Sequence, residues 1–519
     1  MRWRILQGVA CGMAFAVLRY GSPTNIPLCL FHALTGSPCP LCGMTRAMFA
    51  LAKGNLQDAV QFHALSPLVF VLLAGFAMSK ILRWECRLPK VAWNGIACAF
   101  LFYGLLRMLS GTPVYAQDAP PDQKPKLFTI GGELRGRFEA FTGQNFVVDR
   151  NDEYYLSRFR LTLGVQPLSW LSFRFQVQDA LAPRYREPKP SSVLNAFDMR
   201  VAYMELRGDP KAPWLVRVGR QEFIFGEERL VGAANWGNVG RSFDAVRVTY
   251  EKDGKKLDWF ASSLVVVDKS AFDRSDWRNR FYGFYSSFEK VVPRSVVEPY
   301  VFWRSEAGFR NELHQRGRLE EVTMGVRAVG KLPARFDYGL ETALQTGSAA
   351  GIPIRAWAGH YLAGYTILPK VRLTSQFNLA SGDKDPKDGR LGTFDQLYPT
   401  NHAFYGVADR IGWRNMREGN VGLEWRPLKK WLFTTTFHSF WLGTTQDYLY
   451  FDNGSAFVRN PLATSRHVDN EMDILASYEH NKHFSLAVGY SHIFPKTFLK
   501  QSTPGSPVTA PYAMWLWRF

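Results

Sequence analysis

The chain has 519 residues, of which 46% are hydrophobic and 15% aromatic, with 63 Lys and Arg against 45 Asp and Glu. This aromatic content excludes a disordered chain, and a mean hydropathy of −0.17 excludes a helical membrane protein over the whole length. All six cysteines precede residue 99, and residues 1–116 contain 10 basic residues but only two acidic ones. The sequence therefore predicts two physically different parts that meet near residue 116.

The N-terminal part contains apolar stretches of the kind that cross a bilayer as helices. Residues 65–82 and 91–109 are long enough to span the hydrocarbon core, whereas residues 5–18 form a shorter stretch. We therefore predict two or three transmembrane helices, with a helical membrane segment over residues 1–90 and a further helix over residues 91–116.

The last of these helices also has the layout of a secretory signal. Basic residues precede its apolar core, and small residues precede a possible cleavage site after Ala116. Cleavage there and an uncut third helix are both open at this stage. Residues 117–126 are rich in Pro, Asp and Lys, which predicts a flexible linker of roughly 35 Å when extended.

One motif stands out in the N-terminal part, the run CPLCGMTRA from Cys39 to Ala47. With it, residues 25–85 resemble a family of small bacterial membrane proteins of unknown function marked by a CPxCGxTR signature. Such a cysteine pair can form a dithiol couple or half of a zinc site, which Cys29 and His32 would complete. We favour a tight turn between helices, and therefore predict no metal and no cofactor.

The rest of the chain alternates between apolar and polar residues, as β-strands with one apolar face do. Residues 171–178, LSFRFQVQ, show the pattern without a fault. A count of about 18 strands, short connections alternating with long ones, and an aromatic C-terminal strand favour an outer-membrane barrel over a soluble sandwich. The long connections cover residues 223–242, 380–417 and 441–468. We predict a transmembrane antiparallel β-barrel over residues 127–519.

Arginine dominates the strand positions that face away from lipid in such a barrel. A guanidinium group binds a carboxylate through two hydrogen bonds, and a narrow lumen concentrates its field. We therefore predict a lumen that favours anionic or polyhydroxylated solutes, while pairing with lumenal acids is the structural alternative for each arginine. The predicted lumenal arginines are Arg135, Arg137, Arg158, Arg160, Arg174, Arg217, Arg247, Arg304, Arg327 and Arg372.

Longer sequence blocks lie at residues 219–244, 380–415 and 489–495, and the first begins GRQEFIFGEERLVG. Through these blocks, residues 128–519 resemble the alginate-export family of outer-membrane porins. The resemblance implies an 18-stranded barrel, an arginine-lined pathway and passage of an anionic polysaccharide or acidic sugar. It also marks Arg220, Arg241 and Asp244 as motif residues, which would line the pathway or brace the loop by ion pairing.

The predicted function is an outer-membrane channel for diffusion or export of an anionic saccharide, with outer-membrane lipid around the barrel. The alternatives are a porin for another solute class, a plugged or structural barrel, and a lipid-acting enzyme. No Gly-x-Ser-x-Gly motif occurs, and the neighbours His438 and Ser439 point to opposite faces of a strand, so we predict no enzyme. The absence of any basic run of five argues against a nucleic-acid partner.

One further pattern, three aspartates between Asp383 and Asp388, suggests a calcium loop. The third aspartate falls at position 6 of the run, whereas an EF-hand loop needs a ligand at position 5. We therefore predict a solvated acidic surface loop here, with no metal.

Overall fold

The computed structural model describes residues 44–63, 65–71, 127–208, 212–400, 402 and 404–519. The helices of the N-terminal part include α1 (Met44–Ala52) and α2 (Leu56–Phe62), and residues 66–71 are also helical. Asn55 caps α2, because its side-chain oxygen accepts a hydrogen bond from the N–H of Asp58 at 3.1 Å.

The described N-terminal residues include no helix long and apolar enough to cross a membrane. The apolar stretches at residues 5–18 and 91–109 and most of the one at 65–82 lie outside the described residues, as do Cys39, Cys42 and Ala116. The predicted transmembrane helices and the cleavage site therefore stay predictions.

The C-terminal part forms a closed barrel of eighteen strands. Strands that are neighbours along the chain pair with one another, and the last strand pairs antiparallel with the first. This confirms the predicted 18-stranded antiparallel barrel. The barrel strands are β1 (Phe128–Phe141), β2 (Asp152–Leu168), β3 (Leu171–Leu181), β4 (Asn195–Arg207), β5 (Trp214–Gln221), β6 (Phe243–Lys252), β7 (Lys255–Val266), β8 (Arg274–Glu289), β9 (Ser295–Arg310), β10 (Arg316–Lys331), β11 (Phe336–Ala349), β12 (Ile352–Leu368), β13 (Val371–Ala380), β14 (Met416–Trp425), β15 (Trp431–Leu442), β18 (His467–Glu479), β19 (Phe484–Pro495) and β20 (Val508–Arg518).

Four smaller elements lie in the connections, and the first is a 3-10 helix (Gln144–Phe146) between β1 and β2. β16 (Leu449–Tyr450) and β17 (Ala456–Val458) form a hairpin within the loop between β15 and β18. The helix α3 (Thr497–Ser502) lies between β19 and β20, with Phe498 and Leu499 buried.

The C-terminal aromatic strand closes the barrel. β20 runs beside β1 with Trp517 opposite Leu134, and the backbones of Phe519 and Gly132 exchange two hydrogen bonds at 3.0 and 3.1 Å. Closure leaves no free strand edge, which a spanning β-structure requires because lipid cannot satisfy backbone N–H and C=O groups.

The outer surface is apolar, as contact with lipid requires. Val301, Leu344 and Ile474 are 44–54% exposed at the alternate strand positions that face outward. Aromatic residues pair across strands near the short turns, among them Trp214 with Tyr250 at 4.8 Å between ring centroids. This arrangement is typical of the interfacial girdles of outer-membrane barrels.

The connections differ between the two ends of the barrel. At one end, which we call the turn end, they contain two to six residues. At the other end, the loop end, three are much longer: residues 222–242, 381–415 and 443–466. Two links at the loop end are as short as those at the turn end: β9 to β10 in five residues and β11 to β12 in two. In outer-membrane barrels the short turns are periplasmic and the long loops extracellular.

Candidate functional site

The loop of residues 222–242, which we call the constriction loop, crosses the lumen. Near its start Arg229 reaches β12, where its Nη2 lies 3.2 Å from Nε2 of His360. Near its end the carbonyl oxygen of Asn235 accepts a hydrogen bond from Arg135 of β1 at 2.9 Å. Strands β1 and β12 lie far apart around an 18-stranded barrel, so the loop must bridge the interior rather than follow one wall.

Five buried arginines of β1, β2 and β4 hold this loop. Arg135 donates hydrogen bonds to the carbonyl oxygens of Asn235, Trp236 and Gly237 at 2.9–3.2 Å, and Arg158 donates to the first and third of these at 2.9 and 3.0 Å. An inward loop exposes carbonyl groups that a guanidinium fork can satisfy several at a time. We call the five residues the arginine wall: Arg135, Arg137, Arg158, Arg160 and Arg200, each at most 5% exposed.

The remaining members of the arginine wall also bind carbonyl groups of the constriction loop. Arg160 and Arg200 both donate to the carbonyl oxygen of Val239, at 3.2 and 3.0 Å, and Arg137 donates to that of Trp236 at 2.5 Å. Sequence analysis identified four of the five and missed Arg200. A β-bulge between β3 and β4 shifts the register beside it, so simple alternation along β4 does not predict its lumenal position.

Acidic residues neutralise only part of the wall. Glu133 binds Arg158 at 2.6 Å, Glu139 binds Arg137 at 2.5 Å, and Glu222 of the constriction loop binds Arg200. Five arginines therefore face three carboxylates, which leaves a formal excess of two positive charges at the narrowed part of the lumen. A water-poor surrounding strengthens the field of that excess.

An aromatic stack connects the constriction loop to the loop of residues 381–415. The guanidinium of Arg137 lies 3.7 Å from the centroid of the Trp236 ring, and the His402 ring stacks on the same indole at 3.5 Å and 6°. His402 is held in turn by Asp409, with Nδ1 and Oδ2 2.9 Å apart. Both faces of the indole are thus covered, so Trp236 fastens one loop to the other.

Part of the lumenal surface of β6–β9 is aromatic. Phe223 of the constriction loop packs on Phe243 and Phe260, with ring centroids 4.9 and 4.5 Å away. Gly283 makes room for these rings, since a Cβ there would lie 2.5 Å from the Phe260 ring. The expectation that apolar strand positions face lipid is wrong for this arc, because the inward loop supplies apolar residues that cover it.

A second wall, rich in acids, holds the loop of residues 381–415. Glu471 and Asp473 of β18 accept hydrogen bonds from the backbone N–H groups of Ala408 and Val407, both at 3.0 Å. His438 of β15 lies between two carboxylates, 2.8 Å from Glu418 and 3.4 Å from Asp473. We call Glu418, His438, Asp469, Glu471 and Asp473 the acidic wall.

A chain of hydrogen bonds joins the acidic wall to the constriction loop. His438 contacts Glu418, which accepts a hydrogen bond from Asn378 of β13. The Asn378 side chain contacts His360 at 2.7 Å, and His360 contacts Arg229 of the constriction loop. The two inward loops are therefore connected through the barrel wall as well as directly.

Most of the other predicted arginines are paired with acids. Arg217 binds Glu205 at 2.8 Å between Nε and Oε1, and Arg247 binds Asp258 at the same distance. Arg174 differs, since it has no ion-pair partner within the described residues. The remaining pairs are Arg304 with Asp395, Arg327 with Glu227 and Glu298, and Arg372 with Asp337 and Glu424.

The three motif residues form bracing contacts. Arg220 and Asp244 form a two-pronged ion pair at 2.9 and 3.1 Å. Arg241 donates to the carbonyl oxygens of Gly232 and Pro399 at 3.2 and 3.0 Å, and so joins the two inward loops. Arg220 and Asp244 thus brace by ion pairing, whereas Arg241 braces through backbone carbonyl groups.

Cavities lie on both sides of the constriction loop. The loop-end vestibule has a volume of about 470 Å³ and includes Trp236 and Asp452 in its lining. Burial, together with the nearby Asp409 carboxylate, raises the pKa of Asp452 to about 7. At the turn end two cavities of about 320 and 390 Å³ share Arg174 and Gln176, and we call them together the turn-end vestibule. The two vestibules have no lining residue in common.

Comparison with known proteins decides the family. A family model described as "Alginate export" matches residues 126–512. The chain belongs to the alginate export family. A second model, for proteins of unknown function (DUF2752), matches residues 29–77. Both resemblances seen in the sequence are thereby confirmed.

Three solved structures of similar fold are proteins of Pseudomonas aeruginosa. OpdQ aligns with a TM-score of 0.52 and 11% identity, over 76% of this chain and 97% of its own. OpdO aligns at 0.51 and 12%, over 76% and 97%. OccK2 (OpdF), solved in complex with glucuronate, aligns at 0.50 and 10%, over 76% and 98%. No curated protein matches the chain. The family and the barrel support an outer-membrane channel for solutes.

A serine–histidine contact in this alginate export family member bears on the enzymatic alternative. Ser439 Oγ lies 3.2 Å from Nε2 of His467, but it donates its hydrogen bond to Oδ1 of Asn470 at 2.7 Å. The same asparagine oxygen lies 3.0 Å from Nε2 of His467. The serine hydroxyl is therefore directed to the asparagine oxygen, which differs from the serine–histidine hydrogen bond of a nucleophilic pair.

Proposed function

We propose that the barrel is an anion-preferring channel for a carboxylated saccharide, a uronate or its polymer, by diffusion or export. The observation that carries the proposal is the arginine wall, where five arginines face three carboxylates at the constriction. A solute that bears one carboxylate per sugar ring would gain from this field at each ring, whereas a neutral sugar would not.

Two comparisons support the choice of solute. The family carries the name of a polyuronate, and the neighbour OccK2 was solved with glucuronate, itself a carboxylated sugar. We transfer only the chemical class, a sugar with a carboxylate, to this chain.

The predicted site residues divide into three groups in this proposal. The members of the arginine wall contribute charge at the constriction while holding the loop, and Arg220, Asp244 and Arg241 keep the loops in place. Of the remaining predicted arginines, Arg174, Arg217 and Arg247 line the turn-end vestibule, where Arg174 contacts the solute. Arg327 and Arg372 are each paired with two carboxylates.

The proposal is tested with the purified chain in planar lipid bilayers under a salt gradient. We expect discrete channels whose reversal potential shows a preference for anions, and block by oligogalacturonate but not by a neutral oligosaccharide of equal length. A cation preference, or equal block by both saccharides, would overturn the anionic solute. Failure to form channels would favour the plugged or structural barrel.

We also propose that the barrel is separated from the N-terminal segment before it reaches the outer membrane. A linker of residues 117–126 extends roughly 35 Å, too short to join inner-membrane helices to an outer-membrane barrel. N-terminal sequencing of the barrel isolated from outer membranes should begin near residue 117. A start before residue 91 would contradict this proposal.

A further inference from the structure

The two vestibules differ in charge. The loop-end vestibule is balanced, since three arginines and three carboxylates line it. Six basic and two acidic residues line the turn-end vestibule, a formal excess of four positive charges. The six basic residues are Arg160, Arg174, Arg217, Arg247, Lys256 and Arg518.

Three of these six cations are held by acidic residues. Glu205 and Asp258 stand behind the lining and neutralise Arg217 and Arg247. Arg160 donates to the constriction loop and also lies 3.5 Å from Glu133.

Three cations remain: Arg174, Lys256 and Arg518. None of them has an ion-pair partner among the described residues, although Glu251 lies opposite Lys256 in the strand register. Each stands within four residues of the turn-end limit of its strand, β3, β7 or β20. The uncompensated charge is therefore concentrated at one mouth of the barrel.

We infer that the turn-end vestibule is a binding site for the carboxylate groups of a saccharide, formed by Arg174 and Lys256 with Arg518 across the adjoining cavity. This inference rests on the proposed function and adds to it where the solute first binds and from which side. The turn end is periplasmic in barrels of this kind, so the site would capture a solute that leaves the cell.

The chemistry of the lining suits a carboxylated sugar better than a simple anion. A free guanidinium binds a carboxylate by donating two parallel hydrogen bonds, while an ammonium acts as a point charge. Gln176, whose amide is held by Thr162 at 2.8 Å, and the Tyr203 ring under Arg217 at 4.3 Å supply polar and flat surfaces nearby. Both cavities include Gln176, so a chain of two or more sugar rings could contact both.

The decisive experiment measures sidedness in single channels. Trigalacturonate is added to one chamber and then to the other, and the block of current is compared. We expect block at roughly tenfold lower concentration from one side, and we expect that advantage to fall strongly at 1 M salt. The triple variant R174Q/K256Q/R518Q should lose the difference between the sides while its channels stay open. Equal block from both sides of the unaltered protein would overturn the inference.

Matched controls separate local charge from total charge and from misfolding. K252Q removes a nearby lysine, but strand alternation places Lys252 on the face of β6 opposite that of Arg247, so sidedness should persist. The double variant R174Q/K256Q leaves the closing strand unaltered, and it should lose most of the sidedness even if the triple variant does not assemble. Sidedness kept in the double variant would overturn the site.

A binding measurement distinguishes this inference from the channel proposal. Titration calorimetry of the detergent-solubilised protein should detect trigalacturonate binding that R174Q/K256Q weakens by roughly tenfold, about 1.4 kcal/mol. If the protein binds trigalacturonate and R174Q/K256Q weakens that binding, but no conductance is seen, the channel proposal is refuted and the binding site is retained. If channels conduct but R174Q/K256Q leaves trigalacturonate binding unchanged, the binding site is refuted and the channel proposal is retained.

Discussion

The arginine wall and the acidic wall each hold an inward loop, but with side chains of opposite charge. Both are buried surfaces of the lumen that hold an inward loop by its backbone. The arginine wall donates to carbonyl oxygens of the constriction loop, whereas the acidic wall accepts from N–H groups at Val407 and Ala408. The charge of a lumenal side chain is therefore matched to the backbone groups that it contacts, as well as to any solute that passes.

The two walls differ in how completely they are satisfied. The guanidinium groups of the arginine wall make most of their hydrogen bonds, although Nε of Arg135 and of Arg200 has none within the described residues. In the acidic wall both carboxylate oxygens of Asp469 and one of Asp473 have no hydrogen-bond partner in the described structure. Buried carboxylates without partners are costly, so the acidic wall depends more on its one imidazole.

Release of the constriction loop is the largest expected effect. In the variant R135M/R158M/R160M the carbonyl groups of residues 235–239 lose most of their donors, and the loop should leave the lumen. Single-channel conductance should rise roughly twofold or more, with a weaker anion preference. R372M is the control, because Arg372 pairs with Asp337 and Glu424 and does not contact the loop. Unchanged conductance in the triple variant would show that the wall does not position the loop.

The acidic wall is tested through its single imidazole. H438F leaves Glu418 and Asp473 buried without the group between them, which should cost about 3–5 kcal/mol of the free energy of unfolding. The temperature of the heat-dependent gel shift should therefore fall. Adding E418Q and D473N should restore most of the loss, since amides carry no unpaired charge. A loss that persists in this background would point to packing rather than charge.

Removing the Trp236 contact between the two inward loops should have a smaller effect. W236A removes the indole between Arg137 and His402, a loss of about 1–2 kcal/mol of stacking. We expect noisier open-channel current, because the loops then move separately, while the barrel keeps its unfolding temperature. W259A is the control, because Trp259 packs on Trp214 on the outer face. Equal noise in both variants would contradict the role given to Trp236.

The smallest expected effect is a pH dependence at the loop end. Burial, together with the Asp383 and Asp447 carboxylates, raises the pKa of Glu312 to about 8. The folded loops then bind a proton more tightly than the unfolded chain does, so their stability should fall as pH rises from about 4.5 to 8. The protection factors of residues 381–388, which are exchange rates corrected for the intrinsic base catalysis, should be lower at pH 9 than at pH 6 in the native protein. E312Q should flatten this dependence, and a dependence left unchanged would assign it to another group.

Much of the barrel follows from local pattern. Alternation with period two, the aromatic C-terminal strand and the spacing of the connections predicted eighteen strands and their long loops, because strand geometry and lipid contact impose the same rule on every hairpin. Four members of the arginine wall followed from the same alternation. Arg200 did not, because a β-bulge changes the phase of its strand.

The sequence by itself determined the barrel, its lipid-facing surface and the presence of many arginines with side chains turned inward. Only the tertiary structure decided what those arginines contact. The partners of the arginine wall are mainly backbone carbonyl groups, such as that of Asn235, which lies 77 residues from Arg158 and 100 from Arg135. Because every residue has a carbonyl group, no side-chain pattern predicts these contacts. The aromatic lumenal arc and the chain from Arg229 to His438 likewise exist only because the constriction loop folds inward and brings distant strands into contact.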